Sequence, residues 1–406
     1  MRVGIEKIDL YAGPIYLDLT ELAVARGNDP RYVTKELMCE ARSVIPVWED
    51  AVTLGANAAM NVLTPEDRES VELLIVGTES GVDYGKPIST WVHRFCGLPA
   101  NCRNFEVKHA CYGGTAALKA AAFWIASRVR PGKKALVVSA DFSRVHIDDG
   151  HEYPAGGCAI AMLISANPRI LELPLSESGY WTREVSDTFR PTSRVETGDN
   201  EISLFSYLDA LEGAYEHFEQ TVGEVDYRTY FKKHIYHAPF PGMAFQAHRL
   251  MLNRAGAAKA EVERSFQEKV VESLCLAKRV GTAYGSSNFV CLLGLLSAAK
   301  DLRAGDRISL FSYGSGCQSE FYSGLIGPAA TEAVGSLELA RRLDQRTRLA
   351  IEQYELVEYN RERYIDLPDY SPRRDGLDGA YRRLYEGRGL LVLKKVENYV
   401  RTYELS

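Results

Sequence analysis

The sequence predicts a layered α/β protein that is built from two related halves. Its 406 residues exceed what one hydrophobic core usually organises. Strand-like and helix-like segments alternate along the chain, and a polar stretch rich in turn-forming residues, 180–200, separates two such runs. We therefore place an N-terminal half at residues 1–175 and a C-terminal half at residues 176–406.

The N-terminal half is predicted to form a mixed sheet covered by helices, because strands and helices alternate in it. The predicted strands are 3–10, 72–77, 105–109, 134–140, 159–164 and 170–173, and the predicted helices are 43–62, 89–95 and 113–128.

The C-terminal half shares this outline. Its predicted helices are 202–222, 244–254, 258–279 and 286–303, its predicted strands are 234–238, 307–311, 320–326 and 389–396, and 337–358 reads as two helices. Residues 180–200 are predicted to be a surface connection and 365–374 an exposed loop. In both halves, strands end in polar or reactive residues where a helix begins, which suits two related halves that face each other.

Composition narrows the class of function. A net charge of −6 gives no general attraction to nucleic acid or to anionic lipid. The start of the chain reads as a strand and the longest apolar run, 289–299, is too short to span a bilayer, so we expect a cytoplasmic protein with no membrane partner. No two of the eight cysteines have C-x-x-C spacing, which indicates neither a metal site nor a redox pair.

Cys111 is the strongest candidate for a reactive residue. A short strand leads into Ala110-Cys111, and a helix of small residues begins directly after it. Unpaired N–H groups at a helix N-terminus favour a thiolate and can stabilise the oxyanion of an acyl group. The other seven cysteines read as inert core residues.

Two further strand ends carry groups suited to proton transfer or to the orientation of a carbonyl. Glu79 follows the apolar strand 72–77, where desolvation would raise its pKa, although a glutamate in such a position more often caps the next helix or faces solvent. His237 ends the strand 234–238 and precedes Pro239 and Pro241. Such a histidine is often only structural.

A glycine-rich turn follows the strand 307–311. In Ser312-Tyr313-Gly314-Ser315-Gly316, backbone amides can approach a thioester carbonyl, or the segment is an ordinary tight turn. No G-x-G-x-x-G sequence follows a strand, and we therefore predict no nucleotide cofactor.

Together these segments resemble the 3-hydroxy-3-methylglutaryl-CoA synthase family of the thiolase superfamily. The resemblance covers nearly the whole chain and includes the segments 25–30, 55–59, 189–191, 311–316, 320–323 and 401–403. It implies a thiolase fold, a layered αβαβα arrangement of two similar halves with mixed five-stranded sheets. By analogy it also implies a homodimer.

The resemblance also implies roles for individual residues. The family's nucleophile falls on Cys111, its acid/base glutamate on Glu79 and its histidine on His237, within His-x-Pro-Phe. Cys111 would take an acetyl group from a thioester, Glu79 would remove a methyl proton, and the carbanion would attack a β-ketone oriented by His237. The implied substrate-binding residues are Arg26, Phe240, Thr282, Ser312 and Gly314.

One position favours a branch of the family. Enzymes of primary isoprenoid metabolism usually carry a lysine two residues after the Pro-Phe pair, where this chain has Gly242. This is similar to the polyketide β-branching members, which act on acyl groups tethered to carrier proteins. The expected partners are an acetyl donor carrier protein and a β-ketoacyl acceptor carrier protein, and the only cofactor is the phosphopantetheine that a carrier protein or CoA brings. Arg26 is expected either to meet its phosphate or to be an exposed helix-end arginine.

Three departures from the family pattern concern acceptor choice and activity. Thr282 replaces an asparagine, Val145 a frequent tyrosine and Tyr153 a frequent proline. Two alternative functions therefore remain open: condensation of acetyl-CoA with acetoacetyl-CoA for mevalonate synthesis, and a non-catalytic scaffold that docks carrier proteins. A fatty-acid-type ketosynthase fits less well, because the chain has the glutamate Glu79 and lacks the asparagine that Thr282 replaces.

Overall fold

Residues 2–406, which the computed structural model describes, contain seventeen β-strands and fifteen α-helices. The strands are β1 Gly4–Tyr11, β2 Ile15–Asp18, β3 Ala41–Ser43, β4 Val71–Gly77, β5 Arg103–Val107, β6 Lys134–Phe142, β7 Gly157–Ser165, β8 Leu171–Glu172, β9 Ser178–Thr182, β10 Thr188–Phe189, β11 Thr197–Gly198, β12 Lys233–Tyr236, β13 Arg307–Gly314, β14 Gln318–Ile326, β15 Thr347–Arg348, β16 Leu391–Glu397 and β17 Val400–Leu405. The helices are α1 Leu19–Ala25, α2 Ala51–Val62, α3 Pro65–Ser70, α4 Ser89–Phe95, α5 Gly113–Ala126, α6 Asn200–Val222, α7 Tyr227–Tyr230, α8 Pro241–Arg254, α9 Lys259–Lys269, α10 Ala277–Val280, α11 Ser287–Ala298, α12 Ala330–Gly335, α13 Leu339–Asp344, α14 Ile351–Tyr364 and α15 Ala380–Leu384.

Two mixed sheets, one from each half, form the framework. In the first sheet, β5 and β6 flank β4 in parallel, and β7 and β1 extend the sheet antiparallel beyond β6. In the second, β12 is parallel to β13, and β14 runs antiparallel to β13 and to β9. The short strand β8 pairs with both β14 and β1, so that it joins the two sheets edge to edge.

Helices cover both faces of the first sheet, as its side-chain alternation requires. Leu74 and Val76 on β4 belong to one apolar cluster with α2, whereas Ile75 belongs to another with α5, because successive strand residues face opposite sides. Helix α11 packs on β12 and β13 of the second sheet, and its start contacts the start of α5. Helices α5 and α11 therefore form the layer between the sheets, and the predicted layered α/β architecture is confirmed.

Three predicted elements differ from the structure. The predicted helix 43–62 begins only at Ala51, because Asp50 accepts a hydrogen bond from the Thr53 amide and caps it. The predicted helix 258–279 is divided at Val270, which leaves helical geometry. The Lys233 ammonium donates hydrogen bonds to the Glu268 carbonyl and to the Glu272 carboxylate at this break.

The third difference concerns the connection between the halves. Residues 180–200 were expected to be surface connection only, but β9 extends the second sheet and β10 pairs with β11 in a small hairpin. The base of this hairpin is bound to the glycine-rich turn, because the Asp187 carboxylate accepts hydrogen bonds from the Tyr313 hydroxyl and the Gly316 amide.

No helix among residues 2–406 is long and apolar enough to cross a membrane. Within the same range, no group of three or more histidine, cysteine or acidic side chains is arranged to hold a metal ion.

Candidate active site

Cys111 lies in a tight turn between β5 and α5. Ala110, directly before it, has a left-handed backbone with φ of 42°. The Tyr112 amide bonds the His109 carbonyl at 3.0 Å and the Gly113 amide bonds the Ala110 carbonyl at 3.1 Å. This turn places Cys111 two residues before the first residue of a 14-residue helix, as predicted.

The turn is held between the two halves by direct backbone contact. A Cβ atom on Gly314 would lie 2.5 Å from the His109 carbonyl oxygen and 2.6 Å from the Tyr112 nitrogen. A Cβ on Gly114 would lie 2.6 Å from the carbonyl oxygen of Gly285, in the C-terminal half. Gly314, predicted to bind substrate, thus packs against the turn that carries Cys111.

Glu79 follows β4 in a turn that a buried carboxylate fixes. Asp141, at the end of β6, accepts hydrogen bonds from the Thr78 hydroxyl at 2.8 Å, the Glu79 amide at 2.9 Å and the Ser80 amide at 3.1 Å. No local sequence pattern indicates this role for Asp141. The Glu79 side chain is 17% exposed, and its Oε2 atom is buried without a hydrogen-bond partner among residues 2–406.

The surroundings of Glu79 favour its protonated form. Burial and the Asp141 carboxylate raise the pKa of Glu79 to about 8, with a further contribution from Glu196. Arg190 and the neighbouring Cys111 thiol act in the opposite direction. A carboxyl group with a pKa near neutrality is suited to take and to return a proton.

The Cys111 thiol is protonated at rest. Its pKa lies well above the usual value because the sulfur is buried, and the neighbouring Glu79 carboxylate raises it further. The helix N-terminus was expected to favour the thiolate, but burial and the nearby carboxylates outweigh it. Acyl transfer to this sulfur therefore requires that its proton leave as the new bond forms.

His237 follows β12 and is fixed on three sides. Its amide bonds the Phe311 carbonyl at 2.8 Å, its carbonyl accepts the Tyr207 hydroxyl at 2.7 Å, and its Nδ1 lies 3.2 Å from Asn288 Oδ1. Burial lowers the pKa of His237 to about 4, so the imidazole is neutral near pH 7.

Asn288 sets the tautomer of this imidazole. Its Nδ2 donates to the Phe311 carbonyl at 2.7 Å, so that Oδ1 faces His237 and accepts the Nδ1 proton. His237 Nε2 therefore carries the lone pair. Sequence reasoning missed Asn288, although a single amide at the start of the apolar helix α11 was a usable signal.

The remaining predicted substrate-binding residues lie in different settings. Ser312 is buried on β13 and its hydroxyl has no hydrogen-bond partner within residues 2–406. The Thr282 amide donates a hydrogen bond to the Pro154 carbonyl at 2.7 Å. Its hydroxyl forms no hydrogen bond within residues 2–406. Phe240 is partly buried at the start of α8 and packs on two apolar clusters. Contact of these three residues with substrate stays a prediction.

Arg26 is occupied by carboxylates. Its side chain is 9% exposed and forms ion pairs with Glu152 at 2.9 Å, Glu355 at 2.6 Å and Asp148 at 3.2 Å. Neither alternative predicted for it, a phosphate ligand or an exposed helix-end arginine, describes this arrangement. Arg26 instead fastens the loop that contains residues 148–152 to α1 and α14.

A cation from the connecting segment reaches Glu79. Arg190, in the loop between β10 and β11, donates to the Glu79 carbonyl at 3.0 Å, and its Nη2 lies 3.9 Å from Glu79 Oε1. Arg190 lies in a segment that resembles the family, but its sequence context alone indicates no role for it.

Comparison with known proteins identifies the family. Residues 1–169 match the N-terminal region of hydroxymethylglutaryl-coenzyme A synthase, and residues 255–405 match its C-terminal region. The chain belongs to the hydroxymethylglutaryl-CoA synthase family. The family resemblance, the thiolase fold and the acyltransferase class expected from the sequence are thereby confirmed.

Individual relatives are similar over most of their length. The Bacillus subtilis polyketide biosynthesis 3-hydroxy-3-methylglutaryl-ACP synthase PksG is 39% identical over 371 residues, 88% of each chain. A hydroxymethylglutaryl-CoA synthase from Enterococcus faecalis is 36% identical over 359 residues, 88% of this chain and 91% of that one. The crystal structure of the curacin pathway HMG synthase covers 100% of both chains with a TM-score of 0.95 and 37% identity, and it has also been solved with acetyl donor-ACP.

We predict that Asn288→Leu slows condensation by pre-acetylated enzyme by about 10- to 100-fold, because His237 loses the partner that fixes its tautomer and ring orientation. Single-turnover condensation by the pre-acetylated variant measures this. Asn57→Leu is the matched control, since Asn57 is a buried helical asparagine that bonds the Leu391 backbone. Equal rates for Asn288→Leu and Asn57→Leu variants would contradict the role of Asn288.

Proposed function

We propose that this family member adds an acetyl-derived carboxymethyl branch to the β-ketone of a polyketide intermediate on an acyl carrier protein. The observation that carries the proposal is the Cys111 thiol beside the Glu79 carboxyl, whose pKa of about 8 suits proton transfer. Similarity to PksG, a polyketide biosynthesis enzyme, and to the curacin pathway HMG synthase supports carrier-bound substrates.

The first step is acetyl transfer. Cys111 Sγ attacks the carbonyl carbon of the acetyl thioester, the bond from that carbon to the carrier sulfur breaks, and the thiol proton passes to the departing sulfur. A backbone amide at the start of α5 other than those of Tyr112 and Gly113, which bond the His109 and Ala110 carbonyls, would bind the oxyanion. The products are acetyl-Cys111 and a free carrier thiol, so no charge remains in the buried site.

Condensation and hydrolysis follow. The Glu79 carboxylate takes a methyl proton from acetyl-Cys111, and the resulting carbanion attacks the β-ketone carbon of the acceptor, which His237 orients. Glu79 returns the proton to the alkoxide. Water then cleaves the bond to Cys111 Sγ, which leaves the branch as a carboxylate and restores the thiol. No cofactor is required beyond the phosphopantetheine that the carrier brings.

The geometry at Gly242 supports a carrier protein over free CoA. A Cβ atom there would lie 2.2 Å from the Glu36 carbonyl oxygen, so no lysine fits without movement of the π-helical turn Tyr32–Glu36. The chain therefore has no room for the cation that the mevalonate branch usually carries at this position. Binding to a carrier protein adds protein contacts that free CoA does not have.

We predict that Cys111→Ser abolishes acetylation, whereas Glu79→Gln is still acetylated but condenses at least about 100-fold more slowly, because it has lost its base. In the wild type, condensation should rise with pH through about 8, since the carboxylate form is the base. Single-turnover assays on pre-acetylated enzyme separate the two steps. Condensation by Glu79→Gln at the wild-type rate would refute the assignment.

We predict a higher kcat/KM with an acetylated donor carrier protein than with acetyl-CoA at equal concentration. Transfer of radiolabelled acetyl groups from each donor to Cys111 measures the difference, with a carrier protein of primary fatty-acid synthesis as the control. Efficient turnover of acetyl-CoA with acetoacetyl-CoA would instead favour the mevalonate function, for which the Enterococcus faecalis relative is the precedent. No acetylation by any donor would favour a docking scaffold.

The open edge of the first sheet supports a homodimer. Strand β5 is the terminal strand of that sheet, and its Phe105 is 38% exposed. An unprotected edge strand offers unpaired N–H and C=O groups to a second copy.

We predict that Phe105→Pro converts the dimer to a monomer, because proline removes an amide from the edge and interrupts strand pairing. Sedimentation velocity at micromolar concentration measures the mass. Phe123→Ala is the control, because it removes an exposed aromatic side chain elsewhere on the surface. Alanine is used there because Phe123 is helical and a proline would disrupt the helix. A monomeric wild type would exclude this arrangement.

A further inference from the structure

The hairpin of β10 and β11 is fastened at both ends, which fixes the loop between them. At its base, the Asp199 amide bonds the Asp187 carbonyl at 2.8 Å. At its tip, Arg194 forms an ion pair with Glu362 at 3.0 Å and donates to the Ile365 carbonyl at 2.8 Å. The loop therefore presents its two innermost charged residues, Arg190 and Glu196, in a defined position.

Two carboxylates compete for one guanidinium in this loop. Arg190 Nη2 lies 2.6 Å from Glu196 Oε2 but 3.9 Å from Glu79 Oε1. The Tyr284 hydroxyl donates to the Glu196 carboxylate, at 2.9 Å from Oε1 and 3.1 Å from Oε2. The Glu196 carboxylate thus accepts hydrogen bonds from both the Tyr284 hydroxyl and the Arg190 guanidinium.

The competition affects the carboxyl group that takes the proton. A carboxylate engaged directly by an arginine is a weaker base, and its lone pairs are occupied. In this structure, the guanidinium bonds the Glu79 backbone carbonyl and the Glu196 side chain, so that Glu79 Oε2 has no hydrogen-bond partner among residues 2–406. Glu196 therefore keeps the cation near Glu79 without a hydrogen bond to its carboxylate.

We propose that Glu196 is a positioning residue that holds the Arg190 guanidinium, so that the Glu79 carboxylate remains free to take and return a proton. The inference rests on the proposed role of Glu79 as the base. Glu196 touches neither substrate nor nucleophile in this scheme; it acts through Arg190 and through its own negative charge near Glu79.

The other groups around Glu79 do not replace Glu196 in this role. The charged and titratable side chains that surround the Glu79 carboxyl are Asp141 at the end of β6, Cys111 before α5, Arg190 and Glu196 in the hairpin loop, and Tyr284 after α10. Asp141 is already bonded by three donors of the Glu79 turn. Arg144, which neighbours both Arg190 and Glu196, is a second cation and would add to an excess of positive charge if Glu196 were neutral.

The test is the pH dependence of condensation in Glu196→Gln. Without the negative charge, Arg190 is expected to move to Glu79, and the pH at which condensation reaches half its maximum should fall by about one unit or more. The maximal rate should fall by about tenfold, because a weaker base accepts the methyl proton less readily. Acetylation of Cys111, which does not use Glu79 as the base, should stay within about threefold of wild type.

Two further variants make the result specific. Arg190→Gln removes the cation, so the midpoint should move to higher pH, opposite to Glu196→Gln. Glu362→Gln weakens the tip of the same hairpin without a change of charge beside Glu79, and its midpoint should match wild type. If Glu196→Gln does not fold, the shift of the condensation midpoint in Arg190→Gln alone decides whether Glu196 and Arg190 have the proposed role.

The outcomes separate this inference from the proposed function. An unshifted midpoint in both Glu196→Gln and Arg190→Gln, with Glu79→Gln inactive in condensation, would overturn the positioning role and leave Glu79 as the base. A parallel loss of acetylation and condensation at an unchanged midpoint would also overturn it, because that pattern indicates only a structural role. Normal condensation by Glu79→Gln would remove the proposed function itself.

Discussion

Direct backbone contact between the two halves at the start of α5 is the constraint on which the site depends. Gly314 lies against the backbone of His109 and Tyr112, and Gly114 lies against Gly285. A side chain at either glycine would push the halves apart, and with them Cys111 and the strand that leads to His237. Glycine loses more conformational freedom on folding than other residues do, so its presence at these contacts reflects the close approach.

This close approach also determines the charge state of the site. His237 is buried and Glu79 and Cys111 are partly buried, and desolvation moves each pKa toward the neutral form: that of Glu79 to about 8, that of His237 to about 4 and that of Cys111 upward. A site without fixed charge on these groups suits neutral thioesters. Negative charge then arises only as protons move, next to amides and a guanidinium that are already in place.

The sequence revealed the parts of this site that local pattern encodes. Cys111 could be found because a short strand leads into it and a helix begins directly after it. Glu79 follows an apolar strand, but its role was assigned from the family resemblance. Asn288, Arg190 and Glu196 could not be found in this way, because their roles depend on partners far along the chain. Arg190 and the Glu79 carbonyl that it bonds are 111 residues apart.

The same limit explains the errors. Arg26 has the charge for a phosphate, but the carboxylates that neutralise it lie 126 and 329 residues away. The helix predicted at 258–279 has helical composition throughout, yet a buried lysine from β12 takes one of its carbonyls and the helix ends. Strand and helix positions follow from local periodicity, whereas side-chain partners and helix ends follow from packing.

Thr282 shows how a departure from the family pattern can leave the fold of a site intact. Its amide bonds the Pro154 carbonyl at 2.7 Å, so the backbone of this segment is held by contacts that do not involve the side chain. The His237 imidazole is held by the carboxamide of Asn288, so its support does not depend on residue 282. The substitution exchanges a carboxamide, which offers a donor and an acceptor, for a smaller hydroxyl.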